Sequence, residues 1–142
     1  MFSDCGSDVA QRQTVTSTTI EASTRKGEVT IAARQDTYPV GTKEITVVWH
    51  NGTNKPMFYG DPFRLEQWDG KGWADMKPVT ELFLLPAYYL EPGESKEKTY
   101  PIGDYYSPLQ AGRYRVAVYY HFDEERPVTG RGHPVYSVFE MA

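Results

Sequence analysis

The stretch Tyr38-Pro-Val-Gly-Thr-Lys-Glu-Ile-Thr-Val-Val-Trp-His-Asn-Gly-Thr-Asn54 reads as turn, strand and turn, and later segments repeat that rhythm. Ile45, Val47 and Trp49 alternate with Thr46, Val48 and His50. This two-residue period gives a strand one buried face, and Asn51-Gly-Thr-Asn54 ends it with residues that tolerate turn geometry. A chain built this way is expected to form an all-β sandwich, an architecture that serves binding, adhesion and spacing more often than catalysis.

Other segments supply further strands. Val29, Ile31 and Ala33 alternate until Asp36-Thr-Tyr-Pro39 breaks the run. Phe63 and Leu65 lead into Trp68-Asp-Gly-Lys-Gly-Trp73, whose glycines between aromatic residues predict a hairpin. Leu82-Phe-Leu-Leu85, the tight turn Glu91-Pro-Gly-Glu94 and the charged alternation of residues 95–102 read together as a second hairpin near a sheet edge. Asp104-Tyr-Tyr-Ser-Pro108 suits a short helical turn. Tyr114, Val116, Val118 and Tyr120 share one face of the clearest strand, with Arg113, Arg115, Ala117 and Tyr119 on the other. A polar loop over residues 123–134 and a last strand over 135–141 close the domain. About seven or eight antiparallel strands with no convincing helix favour a sandwich over a barrel or an α/β fold.

The 142 residues suit one domain. Residues 1–26, rich in Ser, Thr, Gln and charge, read as a flexible tether in which Val15 and Ile20 are the only candidates for an irregular edge strand; residues 27–142 form the domain. The net charge of −4 comes without a basic stripe, which argues against a nucleic-acid partner. No run approaches the ~18 apolar residues of a membrane-spanning helix. Cys5 is the single cysteine, so an intrachain disulfide is excluded. Followed by Gly6-Ser7-Asp8, it suits the acylated cysteine of a bacterial lipoprotein. Asp4 departs from the small residue expected before such a site, so an incidental free thiol is the alternative. Membrane attachment is expected only through Cys5.

The spacing Gly112-x-Tyr114 at the start of the penultimate long strand fits a tyrosine corner, in which the hydroxyl bonds back to nearby backbone. The ordered set Tyr38-Pro-Val-Gly-Thr-Lys-Glu-Ile-Thr-Val48, Tyr59-Gly60, Phe63-Arg-Leu-Glu66, Gly72-Trp73, Leu90-Glu-Pro-Gly-Glu-Ser-Lys96 and Leu109-Gln-Ala-Gly-Arg-Tyr-Arg115 resembles a bacterial immunoglobulin-like domain family of secreted and membrane-anchored proteins. The resemblance covers about residues 28–141. It implies an immunoglobulin-like β-sandwich, a bacterial source and an extracytoplasmic setting, either lipid-anchored at the cell envelope or secreted. It carries no catalytic set. Without the inter-sheet cysteine pair of antibody domains, stability is expected to come from apolar burial, with Trp49 the costliest residue to truncate.

Chemistry-bearing residues are sparse. His50, His121 and His133 lack metal-ligand spacing, and His50 and His121 fall on outward strand positions. Asp123-Glu-Glu125 next to Arg126 reads as a solvated turn rather than a cation site. No phosphate loop or nucleophile elbow is present. The expectation is therefore no catalytic residue, no metal and no cofactor. Two features suit binding: the loop carrying Arg126, Arg131 and His133, and the aromatic positions Tyr88, Tyr89, Tyr105 and Tyr106. The leading functional reading is a non-catalytic module that binds a protein or glycan or acts as a spacer. The alternative is a small proteinase inhibitor presenting Arg126 or Arg131 at a loop tip.

Overall fold

The computed structural model describes residues 26–142; Cys5 and the strand considered through Val15 and Ile20 lie outside the described residues. The strands run in the order β1 (Val29–Ala33), β2 (Thr37–Tyr38), β3 (Ile45–Asn51), β4 (Met57–Tyr59), β5 (Arg64–Trp68), β6 (Trp73–Asp75), β7 (Tyr88–Leu90), β8 (Ser95–Tyr100), β9 (Gly112–Phe122) and β10 (His133–Met141). One short helix, α1 (Ile102–Tyr105), precedes β9.

Two sheets make the sandwich. A three-stranded sheet has the order β1-β3-β8, and a seven-stranded sheet has the path β2-β10-β9-β4-β7, with β5 paired to both β9 and β6. The alternation in β3 is realised except at Val48, which is buried along with Ile45, Val47, Trp49 and Asn51, while Thr46 and His50 are half-exposed. The Trp68–Trp73 hairpin is also present, with Trp68 opposite Trp73 and the Asp69 carboxylate accepting the Lys71 and Gly72 amides at 2.8 and 2.9 Å. These bonds hold the Asp69 carboxyl below its usual pKa.

Three differences from the sequence reading have physical causes. The break after β1 is itself a strand: Thr37 and Tyr38 pair in parallel with Glu140 and Met141, so the chain crosses from one sheet to the other between β1 and β2. The expected hairpin around residues 91–94 does not exist, because β7 pairs with β4 and β8 pairs with β3 in the opposite sheet. That turn is a crossover, tied to β3 where the Asn51 amide donates to Glu94 O at 2.9 Å and the Gly93 amide donates to Asn51 O at 2.7 Å. Leu82-Phe-Leu-Leu85 is no strand; it lies in the long connection between β6 and β7.

Strands β4 and β5 run along the same edge of β9, separated by a bulge in which residues 60–63 face residues 118–119. The bulge splits the edge into two arms, β4–β7 and β5–β6.

The core is aromatic. Trp49 of β3 stacks on Tyr59 of β4 at 4.1 Å and 11°, and its indole N–H donates to the Tyr100 hydroxyl at 3.1 Å. Phe63, from the bulge, meets Tyr100 at 5.3 Å. Burial pushes the Tyr59 hydroxyl up to about 12 and raises Tyr100 further in the same direction. Tyr114 forms the anticipated corner, its hydroxyl donating to Gln110 O at 2.8 Å.

Asn51 is fully buried and fully satisfied: its side-chain amide donates to Lys55 O and Leu90 O at 2.8 and 3.1 Å, and its carbonyl accepts from the Thr53 amide and hydroxyl at 3.0 and 2.6 Å. One side chain thereby joins the end of β3, the following turn and β7. Lys98 of β8 reaches the bulge, donating to Asp61 at 2.6 Å, and so links the two sheets.

Candidate functional site

The bulge, the connection between β6 and β7 and the loop before β10 meet at one end of the larger sheet. They enclose a cleft of about 580 Å³ lined among others by Phe58, Phe83, Leu85, Tyr105, Val128 and Arg131. That volume is in the range of ligand and peptide-anchor pockets.

Each wall is held for a local reason. Gly60 allows close approach: a Cβ there would stand 3.2 Å from Pro86 O, so a larger residue would press on the end of the β6–β7 connection. That connection is pinned by backbone and ring contacts. The Met76 amide donates to Leu65 O at 3.1 Å, the Val79 amide to Tyr105 O at 2.7 Å, and the Tyr105 hydroxyl to Leu82 O at 2.8 Å. Phe83 stacks on Tyr105 at 4.4 Å and 6° and meets Phe63 edge-on at 5.7 Å. Phe83 is thereby turned inward, and its neighbours point out: Leu82, Leu84 and Leu85 are 83%, 80% and 85% exposed. Val79 and Val128 add exposed apolar surface around the same cleft.

On the third wall, Gly132 adopts φ +97°, and a Cβ there would fall 2.4 Å from Tyr120 O, so glycine is required for the loop to descend onto β9. Arg131 donates to the Tyr119 hydroxyl at 3.1 Å and lies over its ring at 5.4 Å. Arg64, on the opposite side, has a buried Nε that makes no hydrogen bond; it stands 3.7 Å from Asp75, and its Nη1 stands 3.7 Å from Glu81.

The residues singled out from sequence are dispersed. Tyr106 is 3% exposed, its hydroxyl accepts from the Leu65 amide at 3.0 Å, and it backs the cleft from the core. Burial raises its pKa. Tyr105 lines the cleft, and Tyr88 is half-buried with its hydroxyl donating to Asp61 at 2.8 Å. Tyr89 is exposed and accepts from Arg126 at 2.5 Å.

Arg126 is held by Asp123 at 2.9 Å and lies over Phe58 at 4.2 Å. His133 pairs with Glu125 at 2.9 Å. The Phe122 amide and then His133 hold the Glu125 carboxyl below its usual pKa. Arg131, Tyr105 and Tyr106 thus line the cleft, whereas Tyr89 and Arg126 pair with one another beside it and His133 pairs with Glu125.

The exposed leucines, Phe58, Arg64, His121 and Val128 were not anticipated as site residues. A signal existed for the leucines: Leu82-Phe-Leu-Leu85 lacks strand alternation and stops at Pro86. Among the described residues no group of three or more His, Cys, Asp or Glu is arranged to hold a metal.

A family model described as a bacterial Ig-like domain matches residues 25–128. Among solved structures, the E. coli chaperone DraB is 15% identical with a TM-score of 0.43, over 82% of this chain and 55% of its own. The Pseudomonas fluorescens alkylpurine DNA glycosylase AlkC, bound to DNA containing an abasic site analog, is 16% identical with a TM-score of 0.43, over 94% of this chain and 37% of its own. A CARDB domain from Pyrococcus furiosus, in complex with di-metal ions, is 17% identical with a TM-score of 0.33, over 81% of this chain and 88% of its own. The chain thus spans about half the length of the chaperone. No curated protein matches the sequence.

Proposed function

Since the chain belongs to the bacterial Ig-like domain family, we propose that it is a non-catalytic recognition module that docks a segment of a partner protein in the cleft between the β6–β7 connection and the loop before β10. The observation that carries this reading is the pinned connection itself. Leu85 on the cleft lining, and Leu82 and Leu84 on the same connection, are held outward by fixed neighbours, and holding that much apolar surface in water is unfavourable unless something covers it.

A protein partner is favoured over a glycan. The rings of Phe83 and Tyr105 are stacked on one another, which occupies one face of each, and leucine side chains offer a sugar no hydrogen bonds. The engagement of Arg126 by Asp123, Tyr89 and Phe58 weighs against its presentation at the tip of an inhibitory loop.

Bacterial Ig-like domains are typically extracytoplasmic, and among the described residues no helix is long and apolar enough to cross a membrane. We place the module outside the cytoplasm, anchored through acylated Cys5. Labelling the full-length precursor with a fatty-acid analogue should give a signal that Cys5→Ala removes; an unlabelled wild type would sink the anchor.

The docking reading is tested by photo-crosslinking in a bacterial host, with benzoylphenylalanine placed at Leu84 or at Glu97 of β8 on the other sheet. A discrete adduct at position 84 that Leu82→Ser suppresses supports it. Equal labelling at both positions overturns it.

A further inference from the structure

The charges around the cleft identify the chemistry of its occupant. Of the arginines among the described residues, Arg113, Arg115 and Arg126 each have a carboxylate within 3.1 Å, from Glu140, Glu66 and Asp123 respectively. Arg34 is paired with Glu97 and Arg64 loosely with Asp75 and Glu81. Arg131 alone has no ion pair among the described residues, and its hydrogen bond goes to a neutral hydroxyl. This unmatched cation sits on the apolar cleft of a chain whose formal net charge is −4.

Arg64, whose Nε is buried without a hydrogen bond, adds a second guanidinium to the same lining. Glu81, its neighbour on the lining, is already drawn toward it at 3.7 Å. A guanidinium presents donors in a planar fork that suits a carboxylate, and it strengthens such a pair when apolar walls exclude water. A basic segment would be repelled from the same position.

Resting on the docking reading above, we infer that the cleft selects an extended polypeptide segment combining bulky apolar side chains with an acidic one. The apolar group lies against Phe83, Leu85 and Val128, and the carboxylate is taken by Arg131. The apolar wall supplies most of the affinity, while Arg131 decides which apolar segments are accepted.

The test is selection of random peptides displayed on phage against the immobilised full-length chain, repeated on Arg131→Glu, Arg131→Lys and Leu85→Ser. Peptides enriched in both bulky apolar residues and Asp or Glu are expected. Synthetic copies should bind Arg131→Glu about tenfold or more weakly, as for loss and reversal of a partly desolvated ion pair, and Arg131→Lys at an intermediate strength, since lysine keeps the charge but not the planar fork.

Apolar peptides without acidic enrichment, weakened by Leu85→Ser but not by Arg131→Glu, would overturn the charge selection and leave the docking cleft standing. Enrichment of basic peptides would overturn it as well. Failure to enrich any peptide would remove both the selection and the cleft that it rests on.

Discussion

The Trp49 end of the sandwich and the cleft end are both rich in large apolar side chains, yet they treat them in opposite ways. Around Trp49 every large ring is buried and each named polar group has a partner: the indole N–H meets Tyr100, and Asn51 uses all of its hydrogen-bonding capacity. On the connection that walls the cleft, three leucines stand in solvent, Leu85 on the lining itself, and Arg64 Nε makes no hydrogen bond. The difference shows that apolar content does not locate the core. What separates the two ends is whether the strand pleat or an irregular connection sets the direction of each side chain.

If this contrast is right, perturbations at the first end are costly to the fold and those at the second are not. The largest effect is expected from alkali. Tyr59 is held neutral by burial with its pKa pushed up to about 12, so its folded-state value lies above that of the unfolded chain. Its contribution is fully present below pH of about 10, where the unfolded tyrosine begins to ionise, and is lost as pH rises through the folded value. Burial shifts Tyr38, Tyr100, Tyr106, Tyr114 and Tyr120 in the same direction. The part of the tyrosinate absorbance that these buried side chains contribute should therefore appear together with the loss of circular dichroism; ionisation of all eleven tyrosines with the fold intact would break the contrast.

Next in size, Trp49→Ala should destabilise by about 3–5 kcal/mol through lost burial and a cavity, measured by urea unfolding. Asn51→Ala should follow at roughly 2–3 kcal/mol, because it removes a partner from the Leu90 carbonyl and from the Thr53 amide and leaves Lys55 O to the Thr53 hydroxyl. Smallest of all, Leu84→Ser and Leu85→Ser should each stay within about 0.5 kcal/mol of wild type while raising solubility. A large loss of stability there would mean that these leucines support the fold, and the comparison would fail.

Much of the fold was legible in advance because strands announce themselves through local chemistry. Alternation in β3 and β9, the Trp68–Trp73 turn and the Gly112-x-Tyr114 corner each depend on residues a few positions apart, and each is present. The crossover at residues 91–94 was misread because a tight turn joins strands of one sheet or of two with the same residues; only the partners of β7 and β8 distinguish the cases. The candidate site was less legible. Arg131, Tyr105 and Tyr106 were named and line the cleft, Tyr106 from within the core, but the leucines were assigned to a strand.

The sequence by itself determined the class of architecture, the absence of an intrachain disulfide, the family and the aromatic character of the core, since composition, spacing and alternation act locally along the chain. Tertiary structure alone decided which apolar residues are core and which are surface, and which arginine lacks a carboxylate. Leu82 is exposed because Phe83 is captured by Tyr105 and Phe63, and Arg131 is unmatched because Gly132 brings its loop down beside Tyr119 rather than beside an acid. Both depend on contacts between residues far apart in the chain, which no local pattern encodes.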